Sequence, residues 1–194
     1  MTLRDRILAA ARVAILAGIY VLALLVLRGV VSAQDAHPAD RPELVRRLAA
    51  VCVAEAGWST DTGDCAAIVS LLMRRADRLG LRPRVMVRAY SSRHFDRERT
   101  DRRRWIAHLA LDGSRPRGWP RQLAWERYRP RWLATVEHVR AVLRGEVADP
   151  CGGEADHWGG PMDDHRARRA GWTRVECSAP TRNRFWRVPG RERS

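Results

Sequence analysis

The stretch VCVAEAGWSTDTGDCAAIVSLLMRR, residues 51–75, decides the fold: it carries the end of one helix, the start of the next and a carboxylate at the join. Glu55 stands one helical turn after Val51 and Cys52 and so shares their inward face. Gly57 follows as a C-cap, since glycine accepts the left-handed conformation that ends helices. Burial and the negative end of a helix both disfavour charge on an acid in such a place, and general-acid catalysis uses acids of this kind. The same placement also fits an acid that turns to solvent or pairs with one of many arginines.

Outward from Glu55 toward the N-terminus, DRPELVRRLAAVCVAEAG (40–57) reads as one helix. Asp40 and Glu43 make a capping-box pattern, Pro42 sits in the first turn, and Leu44, Leu48, Val51 and Cys52 recur at helical spacing. On the other side a second helix is expected from Asp61 or Thr62. Its apolar face runs Cys65, Ile68, Val69, Leu72, Met73, Ala76 and Leu79, and Gly80 closes it. Asp61 and Asp64 fit helix capping.

Further along, LRPRVMVRAYSSRHF (81–95) alternates like a short strand leading into a polar loop, which would carry Tyr90 and Ser91. DRRRWIAHLALDG (101–113) reads as a helix with Trp105, Ile106 and Leu109 inward. RPRWLATVEHVRAVLRGE (129–146) reads as a helix with Pro130 in its first turn, Gly145 past its end, and Trp132, Leu133, Val136, Val139 and Leu143 inward. From Asp149 on, Gly and Pro break the chain into loops, with a final short strand around RNRFWRV. The expected fold is mainly α, an α+β single domain with a small β element.

The N-terminus points to export. MTLRDR is basic, VAILAGIYVLALLVL (13–27) is uninterruptedly apolar, and RGVVSAQDA offers small residues for a signal peptidase. The apolar run is shorter than the ~20 residues of a spanning helix, so a cleaved signal peptide and an uncleaved signal anchor both stay open over residues 1–33. Either way the basic flank keeps the N-terminus in the cytoplasm and the domain outside the inner membrane. Residues 34–42 form a polar linker, and 43–190 the domain. Four cysteines in an oxidising compartment favour disulfides, with three pairings allowed. A short connection between antiparallel helices brings Cys52 near Cys65, which leaves Cys151 for Cys177.

All 36 basic residues are arginine, and the formal charge is +14. That charge favours anionic partners. The densest basic stretch, HFDRERTDRRRW, alternates with acids, and export argues against nucleic acid as the partner.

Two stretches together resemble the signatures of the SleB-type cell-wall hydrolases, a lysozyme-like family that cuts peptidoglycan glycan strands. The first has Glu55-Ala56, Gly63 eight residues after the glutamate, and a small and apolar helix ending at Arg74. The second runs through VRAVLRGEVADPCGGEADHWGG and TRNRFWR, with Asp149-Pro150, Gly153, His157-Trp158, Asn183 and Phe185-Trp186 in register. Met73 stands where the family has asparagine, and Arg184 where it has histidine.

The resemblance implies a lysozyme-like fold with Glu55 as the catalytic acid, protonating the glycosidic oxygen after N-acetylmuramic acid. It also implies a lytic transglycosylase outcome, whereas water as nucleophile would give hydrolysis. A two-carboxylate mechanism needs a second acid about 5–10 Å away; with Asp61 and Asp64 assigned to capping, a single-acid mechanism suits the sequence. His157, Trp158 and Asn183 are candidates for the cleft wall, and Tyr90 and Ser91 weaker ones, since indoles pack on sugar rings and amides hydrogen-bond acetamido groups.

No metal or organic cofactor is implied. Peptidoglycan is the expected partner, together with the inner membrane if the N-terminal segment is retained. Two rivals stand beside this reading. One is a zinc-dependent wall peptidase using Cys151, His157, His165 and Cys177, or Asp163, Asp164 and His165. The other is a membrane-tethered wall-binding protein without catalysis.

Overall fold

The structure, a computed structural model, describes residues 19–20, 36–95 and 104–190. The chain divides into two compact units, Met1–His37 and Pro38–Ser194. The first contains the apolar run 13–27, which apart from Ile19 and Tyr20 lies outside the described residues, as does the expected signal segment. No helix among the described residues is long and apolar enough to cross a membrane.

The second unit mixes helices with a small sheet. After a 3-10 turn at Pro38–Asp40 come α1 (Pro42–Glu55), α2 (Asp64–Arg78), α3 (Pro83–Phe95) and, past a 3-10 turn at Arg104–His108, α4 (Trp125–Leu143). The tail holds β1 (His157–Gly159), a 3-10 turn at Pro161–Asp163, α5 (Asp164–Arg169), β2 (Thr173–Val175) and β3 (Arg184–Arg187). β3 lies between β1 and β2, antiparallel to both, with Trp158 opposite Phe185 and Arg174 opposite Trp186.

Helix α1 is the hub and packs against α2, α3 and α4. Val45, Leu48, Ala49, Ala50 and Val51 are fully buried, so the helix is apolar almost all round its middle. Its start differs from the capping box expected. Asp40 ends the preceding 3-10 turn, Arg41 is the N-cap without a side-chain cap, and Glu43 turns to Arg46 and Arg47 instead. The hydrogen bond from Arg46, joined by Arg47, holds the Glu43 carboxyl down at about 2. In α2 the expected face is buried at Cys65, Ile68, Val69, Leu72 and Ala76, whereas Leu79 caps the helix end and is exposed.

The segment expected as a strand is helix α3. Its Met86 and Val87 are buried, and packing against α1 and α2 outweighs the β preference of its valines. Tyr90 and Ser91 therefore fall within a helix and not in a loop.

The helix expected over 101–113 contracts to the turn at Arg104–His108. Ile106 and Leu109 are buried as expected, but the backbone oxygens of this segment bond elsewhere. Arg46 Nη1 donates to Ala107 O and Leu109 O, each at 3.3 Å, and Trp132 Nε1 donates to Ala110 O at 2.6 Å. These side-chain donors from α1 and α4 supply partners to carbonyls that lack helical ones past the turn.

Helix α4 begins ahead of the expected point, which places Pro130 inside it. Trp125 is buried and donates to Gly113 O at 2.9 Å, anchoring the extra turn. Trp132, Val136 and Val139 face the core as expected, while Val142 is buried and Leu143 only partly so.

Both expected disulfides are present, Cys52–Cys65 joining the facing ends of α1 and α2, and Cys151–Cys177 within the tail. Two disulfides are compatible with an exported, non-cytoplasmic protein.

Candidate functional site

Glu55 is the last residue of α1 and half-buried, at the edge of the core and not within it. The chain leaves the helix through Ala56, whose N–H donates to Cys52 O at 2.8 Å, and then turns at Gly57 with φ +80°. That left-handed angle requires glycine, and a side chain there would also meet Arg182, whose Nη1 lies 3.8 Å from the Cβ position.

The tail is fastened to this corner by polar groups. Asp64, the first residue of α2, is fully buried, and its two oxygens accept the backbone N–H groups of Arg182 at 2.9 Å and Asn183 at 2.8 Å. Asn183 Nδ2 in turn donates to Glu55 O at 3.1 Å. Asp64 thus does not cap α2, as the sequence suggested; it binds the strand entry that carries Asn183, and Asn183 holds the end of α1.

The other residues of the two resembling stretches also meet. Gly63 N donates to Pro180 O at 2.9 Å, and a Cβ on Gly63 would stand 3.0 Å from both Pro150 and Ala179, so a larger residue would have to push these neighbours aside. Arg74 pairs with Asp149, whose oxygens also accept the N–H groups of Cys151 at 2.9 Å and Gly153 at 3.0 Å. Arg78 pairs with the buried Asp156 at 2.8 Å. Arg184, at the position of the family's histidine, pairs with Asp164.

Directly after Gly57 the chain forms one lip of a cleft of about 560 Å³. Trp58, Ser59, Thr60 and Asp61 line this lip, Arg131 and Ala134 of α4 the opposite wall, and Arg182 the tail side. Trp58 is half-buried; it stacks on Trp105 with centroids 5.6 Å apart and planes 10° from parallel, and meets Tyr128 at 5.3 Å. Trp119 and Trp125 back this group edge-on, 4.8 Å apart, which fixes the indole at the cleft. Asp61 accepts from Ser59 Oγ at 3.1 Å and lies at the cleft, again not as a helix cap.

The sequence candidates separate. Asn183 bonds to Glu55. Trp158, in β1, is buried in the core, so its indole is not a cleft wall. His157, its neighbour on the other face of the strand, packs edge-on against Trp172 at 4.8 Å and beside Trp186 at 6.1 Å. Tyr90 and Ser91 belong to α3. Sequence reasoning missed Trp58, Arg131 and Arg182. Only Trp58 carried a signal, standing three residues after the glutamate.

Cys151 and Cys177 are joined to each other, which removes them as zinc ligands. Asp163 accepts from Gly160 N at 2.9 Å, and Asp164 faces arginine. No group of three or more His, Cys, Asp or Glu among the described residues is placed to hold a metal. His138 of α4 has a pKa held below its ordinary value by burial, and its Nε2 is buried without a hydrogen-bond partner among the described residues.

Comparison with family models, with curated proteins and with solved structures gives no match to this chain.

Proposed function

We propose that the protein is an exported, lysozyme-like enzyme that cleaves the glycan strands of peptidoglycan, with Glu55 as the general acid. The observation that carries this reading is the corner at the end of α1, where half-buried Glu55, its backbone carbonyl accepting from Asn183 Nδ2, comes two residues before the lining of a cleft that includes the indole of Trp58. An acid there delivers a proton to a glycosidic oxygen, and the indole face of Trp58 accepts a sugar ring. The meeting of Gly63 with Pro150, and of Arg74 with Asp149, gives the paired signatures a shared structural purpose and supports the resemblance.

The domain lies outside the inner membrane in this reading, either free in the periplasm or anchored through residues 13–27. Asp61 at the cleft is a candidate to guide water, which would turn transglycosylation into hydrolysis. A second reading, wall binding without cleavage, draws on the fact that the cleft lining begins two residues past Glu55.

Digestion of purified sacculi by the full-length chain beside Glu55→Gln, with products weighed by mass spectrometry, tests the proposal. Anhydro-muropeptides from the unaltered protein and none from the variant make it a transglycosylase. Hydrated ends that vanish in Asp61→Asn make it a hydrolase. Release of nothing, with both proteins pelleting on sacculi, leaves the binder.

A further inference from the structure

We infer that the cleft recognises a carboxylate carried beside a sugar ring, with Arg131 and Arg182 as its specificity-determining residues. The inference rests on the proposed wall-glycan reading and adds to it the charged group that the site selects.

Arg46, Arg47, Arg74, Arg78, Arg140, Arg144, Arg184 and Arg187 each pair with a carboxylate. Arg131 and Arg182, like other exposed arginines such as Arg115 and Arg117, form no ion pair among the described residues, but these two come from different parts of the chain to line one cleft. A guanidinium presents a planar fork of N–H donors that matches a carboxylate in a bidentate manner. Two such forks in one concave site focus positive potential there.

The only acid in the lining is Asp61, which is engaged by Ser59. Trp58 supplies the apolar plane beside the cations. An indole next to guanidinium groups suits a ligand with a ring face and an anionic arm, which is the chemistry of an amino sugar bearing a lactyl ether. The anion has two sources in such a polymer, the lactyl carboxylate itself or a carboxylate of the peptide attached through it.

Both side chains are exposed, and Arg182 is tied to Asp64 through its backbone N–H, so replacing either side chain leaves the fold intact. The experiment is calorimetric titration of the full-length chain, oxidised, and of its Glu55→Gln variant. The probes are a disaccharide of N-acetylglucosamine and N-acetylmuramic acid, its methyl ester, and the same disaccharide carrying a dipeptide with free carboxylates.

The acid is expected to bind about tenfold more tightly than the ester. Arg131→Gln and Arg182→Gln each weaken the acid about fivefold, the upper range of an exposed ion pair, and leave the ester unchanged. Trp58→Ala weakens acid and ester alike. If the dipeptide form shows the same arginine dependence, the peptide carboxylate is the one read; if only the peptide-free acid does, it is the lactyl group. Equal binding of acid and ester, or arginine variants that weaken both equally, overturns the inference. Arginine-dependent binding by the unaltered chain, when that same chain releases nothing from sacculi, sinks the enzyme proposal alone.

Discussion

The helical body of this protein is held by apolar burial, whereas its tail, which adds Trp158 and Phe185 to the same core, is also fastened by a set of polar ties. In α1, α2 and α4 the contacts are apolar: Leu48, Ile68, Leu72 and Trp132 are buried with almost no accessible surface. The tail from Asp149 to Arg187 has strands of only three or four residues, and they are fastened by Asp64, Asp149 and Asp156, by Arg74 and Arg78, and by a disulfide. Apolar burial is non-directional and tolerates small shifts, whereas these polar ties fix positions to a fraction of an ångström. The part that must place Asn183 against Glu55 is the part held by directional bonds.

That contrast breaks or sharpens under four tests. The largest effect is expected in the body. Trp132→Ala removes a fully buried indole and its bond to Ala110 O, and should lower unfolding free energy in denaturant by about 4 kcal/mol. Next comes the tail. Replacing both Cys151 and Cys177 by serine releases a loop of 26 residues and should lower stability by about 3.5 kcal/mol on chain-entropy grounds. Hydrogen exchange should then rise in 150–187 before it rises in α1; uniform loosening would mean that body and tail are one cooperative unit.

Third, Asp64→Ala leaves two backbone N–H groups without their acceptor and should cost roughly 2–3 kcal/mol. An unchanged midpoint would show that the polar ties do not hold the tail.

The smallest effect is in pH. His138, with its pKa lowered by burial, takes up a proton less readily when folded than the unfolded chain does near the ordinary value of 6.5. Its contribution is therefore present above pH 6.5 and lost as the pH falls below it. Glu43 follows at lower pH, its contribution lost as the pH falls from 4.5 toward 2. Thermal unfolding of His138→Phe against the unaltered chain should remove the first step and leave the second.

The same division governs what the sequence revealed. Helices α1, α2 and most of α4 were legible because apolar side chains recur every three or four residues. The Cys52–Cys65 bridge was legible because a short connection leaves facing helix ends little choice. The turn at Arg104–His108 was not, since Ala107 O within it and Leu109 O and Ala110 O just after it accept from Arg46 and Trp132, far away in sequence. Helix α3 was misread because β-branched Val85 and Val87 stand two residues apart, as on one face of a strand, although Met86 and Val87, adjacent in sequence, are both buried. Glu55 stood out by its place at the end of α1, and Asn183 through the resembling stretches. Arg131 and Arg182 were lost among 36 arginines, since only the fold brings those two to one cleft.

The bridge between Cys52 and Cys65 encloses Glu55 and the whole lip from Gly57 to Asp61 in one covalent ring. A protease that cuts once within this ring cannot separate the chain. Both new ends stay attached, and the nicked protein migrates at its full mass until a reductant opens the bridge. The lip of the cleft is thus a segment that a single cut cannot release while the bridge is intact.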